Sequence, residues 1–185
     1  MRSLFSTFMS VLLFLSLSST YAFAQSTVMV GGEAMFPKKD IIDNAVNSKD
    51  HTTLVAAVKA AGLVETLKSD GPFTVFAPTN DAFENLPEGT VSSLLKPENK
   101  GDLAKVLTYH VLAGNYDFSD LKKAIKKGDG KASLTSVQGN QLTFKLNGDN
   151  NIQVEDASGH IGNISTYDVY QSNGVIHVVD QVLLP

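Results

Sequence analysis

Two textures of hydrophobic and polar positions divide the chain. Up to about residue 127, apolar residues recur three and four positions apart, the repeat of a helix that buries one face. Ile41, Ile42, Ala45 and Val46 have this spacing over residues 40–46. Leu54, Val55, Val58 and Ala61 form a second stripe, with Thr52 or Thr53 as cap and Gly62 as terminator. A shorter helix is expected over 88–95, closed by Pro97. A clearer one covers 102–112, with Leu103, Val106, Leu107, His110 and Val111 on one face. Phe118, Leu121, Ala124 and Ile125 mark a last helix, whose other side carries Lys122, Lys123, Lys126 and Lys127. One buried strand interrupts the series: Phe73 to Ala77, introduced by Gly71-Pro72 and ended by Pro78. Thr79 then caps a short helix with Asp81 in its first turn.

After Gly128-Asp129-Gly130 the period shortens to two. Residues 134–137, 141–146, 152–155 and 160–166 are short, mostly alternating runs. Gly139-Asn140, Asn147-Gly148 and Ser158-Gly159 separate them, which is the pattern of successive hairpins. The final run, Gly174 to Leu184, is apolar on both faces and predicts a central strand covered on both sides. Helices followed by hairpins make an α+β domain, and the strands at 73–77 and at the end must join its sheet. The domain is expected to close with this strand in its core, and no anchor or second module is expected after it.

Residues 1–24 read as a signal peptide. Arg2 supplies the positive charge, an apolar run follows over 8–17, and Ala22-Phe23-Ala24 is a small-x-small cleavage site. Residues 25–37, with Gly31-Gly32 and Pro37, are expected to be a flexible arm, and the domain to occupy 38–185. No apolar stretch is long enough to span a bilayer. The chain has no cysteine, so no disulfide supports an exported fold of 161 residues (185 − 24) and its core must suffice. Beyond the leader there are 14 lysines, no arginine and 19 acidic residues, a balance of −5. Without arginine for bidentate phosphate or guanine contacts, an acidic chain is not expected to bind nucleic acid.

Three blocks carry a family resemblance. The first is Gly71-Pro72-Phe73-Thr74-Val75-Phe76-Ala77-Pro78-Thr79-Asn80-Asp81-Ala82-Phe83, the second Tyr109-His110, and the third Asn173-Gly174-Val175-Ile176-His177-Val178-Val179-Asp180. In this order and at this separation the chain resembles the fasciclin-like domain over about residues 38–185. The resemblance implies a wedge of about seven short strands packed with several helices. It also implies an exported protein, periplasmic or extracellular, whose partner is a protein or polysaccharide at a cell surface or matrix. In animal members, integrin adhesion has been tied to places that correspond to Asn80 and Asp81, to Tyr109 and His110, and to Asp168 and Val169. Val169 departs from the usual isoleucine, and Tyr167 and Tyr170 flank the pair. Some secreted members carry carotenoid-like apolar molecules, so a ligand groove between helices is the alternative.

Most of these residues also have a structural reading. His110 lies on an apolar stripe and His177 in the last strand, where neutral, hydrogen-bonded core rings are expected. Asp81 fits a helix first turn. Lys122, Lys123, Lys126, Lys127 and Lys131 read as a solvated face, or as weak salt-sensitive contacts to an anionic polysaccharide or lipid headgroups. Asn163-Ile164-Ser165 is a glycosylation sequon for a eukaryotic secretory route. There is no Gly-x-Ser-x-Gly, phosphate loop or Gly-x-Gly-x-x-Gly, and His51, His110, His160 and His177 lack metal spacing. The expectation is therefore a non-enzymatic domain with no cofactor.

Overall fold

The computed structural model describes residues 27–185; the leader expected over 1–24 lies outside them. The first described element is a hairpin. Val28–Val30 (β1) pairs antiparallel with Glu33–Met35 (β2), Val28 opposite Met35. The flexible arm expected over 25–37 is thus paired backbone from residue 28, and Met35 is buried. Gly31 and Gly32 both have positive φ, 60° and 76°, which suits a two-residue hairpin turn. Gly31 has a second constraint. A Cβ there would lie 2.4 Å from Ser48 Oγ and 2.8 Å from the Asp50 nitrogen, so only glycine lets the turn dock on that segment.

Helices dominate the next eighty residues. Ile41–Ala45 (α1) starts at Asp40, whose carboxylate accepts the Asp43 N–H at 2.8 Å. A 3-10 turn, Lys49–His51, leads into Thr52–Ala61 (α2), which ends at a left-handed Gly62. Val64–Lys68 (α3) was not expected: five residues with one buried side chain, Leu67, are too few to show a period. Strand Phe73–Pro78 (β3) is followed by Asn80–Glu84 (α4), Thr90–Leu94 (α5) and Lys100–Tyr109 (α6).

The helix expected over 102–112 ends at Tyr109. The chain turns at His110 and continues as Val111–Ala113 (β4), paired with β3 through Val75 opposite Val111. Val111 and Leu112 prolong the apolar stripe of α6, and a short apolar run does not distinguish helix from strand. Phe118–Lys127 (α7) precedes the hairpin series Lys131–Thr135 (β5), Gln141–Asn147 (β6), Asn151–Glu155 (β7), Ile161–Gln171 (β8) and Gly174–Val179 (β9).

The seven strands β3 to β9 form one sheet in the order β4-β3-β9-β8-β7-β6-β5. Only β3 and β9 run parallel, from Phe73 opposite Gly174 to Pro78 opposite Val179. A bridge between Leu112 and Ser136, with Val137 N–H donating to the Val111 carbonyl at 2.7 Å, brings the two edges together. The result is a nearly closed wedge, a mixed α+β fold as the resemblance implies.

Two apolar clusters fill it. One lies inside the wedge and includes Phe76, Tyr109, Leu142, Phe144, Ile152 and Val179, with Leu121 and Ile125 of α7 against it. The other lies between the sheet and α1 to α6, and includes Met35, Leu54, Val58, Leu107, Val169 and Ile176. Alternate residues of β3 and β9 serve the two sides, which explains why neither strand alternates with polar residues.

Candidate functional site

The Tyr109-His110 pair sits where α6 ends and enters the interior. Tyr109 has no exposed surface. Its hydroxyl donates to the Gln141 carbonyl at 2.8 Å and accepts the Ala157 N–H at 2.9 Å, tying α6 to two hairpin ends. The His110 Nδ1–H donates to the Val106 carbonyl at 2.8 Å, and Nε2 accepts the Leu183 N–H at 2.9 Å. These partners fix a neutral tautomer. Burial pushes the ring's pKa down to about 4, with the Val106 carbonyl offsetting part of the shift.

His177 has the opposite tautomer. Its Nε2–H donates to the Tyr116 carbonyl at 2.9 Å, and Nδ1 faces the Asp168 N–H at 3.4 Å. The ring stacks on Phe76 with centroids 5.5 Å apart. Burial lowers its pKa as well, opposed by the Tyr116 carbonyl and by Asp168. Both histidines are core rings satisfied on each side.

Asn80 and Asp81 divide into an inner and an outer residue. Asn80 Oδ1 accepts the Thr53 N–H at 3.0 Å and the Thr52 hydroxyl at 3.2 Å, while Nδ2 donates to the Lys49 carbonyl at 2.9 Å. The first turn of α2 is therefore capped from the following segment and not by its own threonines. Thr79 caps α4, its hydroxyl accepting the Ala82 N–H at 3.3 Å. The Asp81 side chain points to solvent and its carboxylate has no hydrogen-bond or ion-pair partner among the described residues. Together with Asp50, Thr79 and Asn80 it borders a small polar depression.

Asp168 lies at an irregularity of β8, between Thr166 and Val169, with φ of 56°. Its carboxylate accepts the Phe118 N–H at 2.8 Å, and Asp117 accepts the Asp120 N–H at 2.9 Å, so two acids start α7. Val169 is buried in the helix-side cluster. Of the flanking tyrosines, Tyr167 turns inward and accepts the Ile152 N–H at 2.7 Å. Tyr170 is 42% exposed and donates to Asp117 at 3.3 Å. Partial burial, then Asp168 and Asp117, push its phenol pKa up to about 12. The three residue pairs thus occupy three places: the α2–α4 junction, the interior, and the β8 irregularity.

Two further polar residues carry structure that the sequence reading passed over. Asp156 is buried, and its carboxylate accepts the N–H groups of Ser158 and His160 at 2.9 Å and of Leu184 at 3.0 Å. Its sequence signal, Glu155-Asp156 before Ser158-Gly159, marks only a turn. His51 is buried beside Ser48, with Nδ1 2.8 Å from the hydroxyl. Its Nε2 makes no hydrogen bond. Desolvation lowers its pKa; the Ala77 carbonyl comes close enough to offset part of that, but falls short of hydrogen-bond geometry with Nε2. Ser48, three residues earlier, is the only sequence hint of it.

His51 borders an apolar cavity of about 90 Å³ between α1, α2 and the β3–β9 pair, with Val30 and Met35 of the hairpin closing one side. Pockets for drug-sized ligands take roughly 300–1,000 Å³. The groove expected for a carotenoid-like molecule is therefore a much smaller space. On the α7 face, Lys122 donates to the Asp149 carbonyl at 2.6 Å and Lys123 pairs with Asp120 at 3.3 Å; Lys126, Lys127 and Lys131 are exposed. Among the described residues, no three His, Asp or Glu side chains are grouped to hold a metal, and no helix is long and apolar enough to cross a membrane.

Comparison with known proteins gives the same assignment as the geometry. The family model described as the Fasciclin domain matches residues 49–185. The protein sll1483 of Synechocystis sp. is 45% identical over 161 residues, covering 87% of this chain and 82% of that protein. Transforming growth factor-beta-induced protein ig-h3 of Sus scrofa is 34% identical over 150 residues, which are 80% of this chain but 20% of that one. Among solved structures, a FAS1 domain pair from the insect cell adhesion molecule fasciclin I superposes with a TM-score of 0.69 at 18% identity, over 80% of this chain and 52% of that chain. At that identity the likeness speaks for the fold alone. The sheet order, the buried Tyr-His pair and the matched span lead to one conclusion: this chain belongs to the fasciclin domain family.

Proposed function

We propose that this protein is an exported, non-enzymatic adhesion domain that contacts a protein or polysaccharide of a cell surface or matrix through its outer surface. The observation that carries this reading is the fasciclin domain match over residues 49–185. The geometry narrows where contact would occur. Asn80, Tyr109, His110 and Val169 spend their polar groups or their bulk inside the molecule, and the Asp168 carboxylate holds the start of α7. Asp81 alone of the six presents an uncommitted group, with Asp50 beside it. A partner reading this surface would bring hydrogen-bond donors or cations to those two carboxylates.

The test is binding of the purified protein to envelope and extracellular matrix from its producing cells. Saturable binding is expected, weakened about tenfold or more in Asp50→Ala/Asp81→Ala, a loss comparable to one charged contact. Full-strength binding by the double variant would remove Asp81 from the contact. Absence of saturable binding by the wild type would overturn the adhesion reading.

A further inference from the structure

His51 Nε2 is the one buried side-chain nitrogen or oxygen without a hydrogen-bond partner among the described residues. Buried polar atoms are nearly always paired, so an orphan bordering a cavity calls for a ligand. A single water is a poor occupant. It needs two to four polar partners, and these walls are almost wholly hydrocarbon: Ile41, Leu54, Val58, Leu107 and Ile176 are among them.

We propose that this cavity binds a small neutral molecule made of a slender apolar chain and one hydroxyl, with the hydroxyl hydrogen-bonded to His51 Nε2. Beside the nearby Ala77 carbonyl, Nε2 is the one buried, unpartnered polar side-chain atom of the lining among the described residues, so the ligand needs one polar group. Ser48 Oγ can give a proton to Nδ1 or take one from it, which leaves Nε2 as donor or acceptor. A hydroxyl answers either state; an ether or ketone oxygen answers only the first. A charged group would be buried without a counter-ion, in surroundings that already disfavour charge on the imidazole. Size sets the chain. An apolar cavity of about 150 Å³ accommodates benzene, so about 90 Å³ suits a chain of a few carbons. The lining reaches the surface at Val46, 48% exposed, where a longer tail could extend. Gly31, docked on Ser48 with no room for a Cβ, holds the hairpin over the site and the Ser48–His51 pair in place. This proposal does not rest on the Asp81 surface, although Asp50 of that surface adjoins His51.

The experiment titrates the full mature protein with 1-butanol and, separately, 1-chlorobutane, which has a similar shape but no O–H. Nuclear magnetic resonance follows the His51 ring nitrogens and the methyl groups of Val58 and Ile176. Saturable shifts at all three are expected with 1-butanol, and about tenfold weaker binding of 1-chlorobutane, the worth of one hydrogen bond. Ala45→Leu, which fills the cavity from α1, should abolish both while leaving the circular dichroism spectrum unchanged. Failure of 1-butanol to saturate, equal affinity for the two compounds, or a water on Nε2 that 1-butanol does not displace would each overturn the proposal. The wild-type comparison decides by itself should the variant fold poorly.

Discussion

His110 couples the fold to pH. In the native protein its ring stays neutral down to about pH 4, whereas in the unfolded chain it takes a proton near its ordinary value of 6.5. As pH falls through that window the unfolded state gains a proton that the native state refuses, so stability drops. Below about 4 both states are protonated and the loss levels off. The full difference amounts to about 3 kcal/mol at most, and His51 and His177, also shifted downward, act in the same direction. The urea midpoint should therefore be clearly lower at pH 4.5 than at pH 7.5. His110→Gln should be less stable at pH 7.5 yet lose less on acidification; an unchanged slope would show that this ring is not the source. Asn80 and Asp81 make a second contrast. Asn80→Ala removes three hydrogen bonds and should cost about 1–2 kcal/mol, while Asp81→Ala should cost under about 1 kcal/mol. Equal losses in chemical denaturation would contradict the inner and outer roles assigned to them.

At the scale of elements, legibility followed length and period. α2 and α7, with two or more turns of apolar stripe, and β6 and β7, with clear turn punctuation, lie within a residue or two of where the sequence puts them, whereas β9 starts at Gly174 as expected but ends at Val179, well short of Leu184. The failures share a cause: information that lies elsewhere in the chain. β4 differs from the tail of α6 only because β3 is there to receive it. The β1–β2 hairpin is fixed by what Gly31 meets at Ser48, not by its own three-residue strands. The candidate site was legible as a list of residues but not as a geometry. A buried Tyr109 and an exposed Asp81 look alike in a motif, and beyond Ser48 three residues earlier nothing in the sequence marks the orphan nitrogen of His51. The hairpin makes its own prediction. Gly31→Val combines a positive φ with a Cβ 2.4 Å from Ser48 Oγ, so it should undock β1–β2 locally. Amide exchange should then accelerate over 28–35 while β3 and β9 keep their protection. Uniform acceleration would mean that the hairpin is integral to the sheet's stability.

For the whole molecule, the question is whether two apolar clusters make two folding units. They share β3 and β9, and Tyr109 and His110 reach from α6 to the hairpin ends and to Leu183. Neither cluster has a complete floor without the other. Unfolding should therefore be a single cooperative transition. The near-ultraviolet signal from Tyr109, Tyr116, Tyr167 and Tyr170 and the far-ultraviolet signal from the helices should share one midpoint, and Leu142→Ala inside the wedge should lower both together, at a cost of about 2–5 kcal/mol. Separate midpoints would show that the halves are uncoupled.

The parallel pairing of β3 with β9 has a consequence for biosynthesis. Residues 73–78 leave the ribosome roughly a hundred positions before the segment that must lie beside them. Until that partner emerges, β3 has only β4 beside it and the helix-side cluster lacks Ile176. A sheet whose central pair is drawn from such distant segments locks only once residues 174–179 are available.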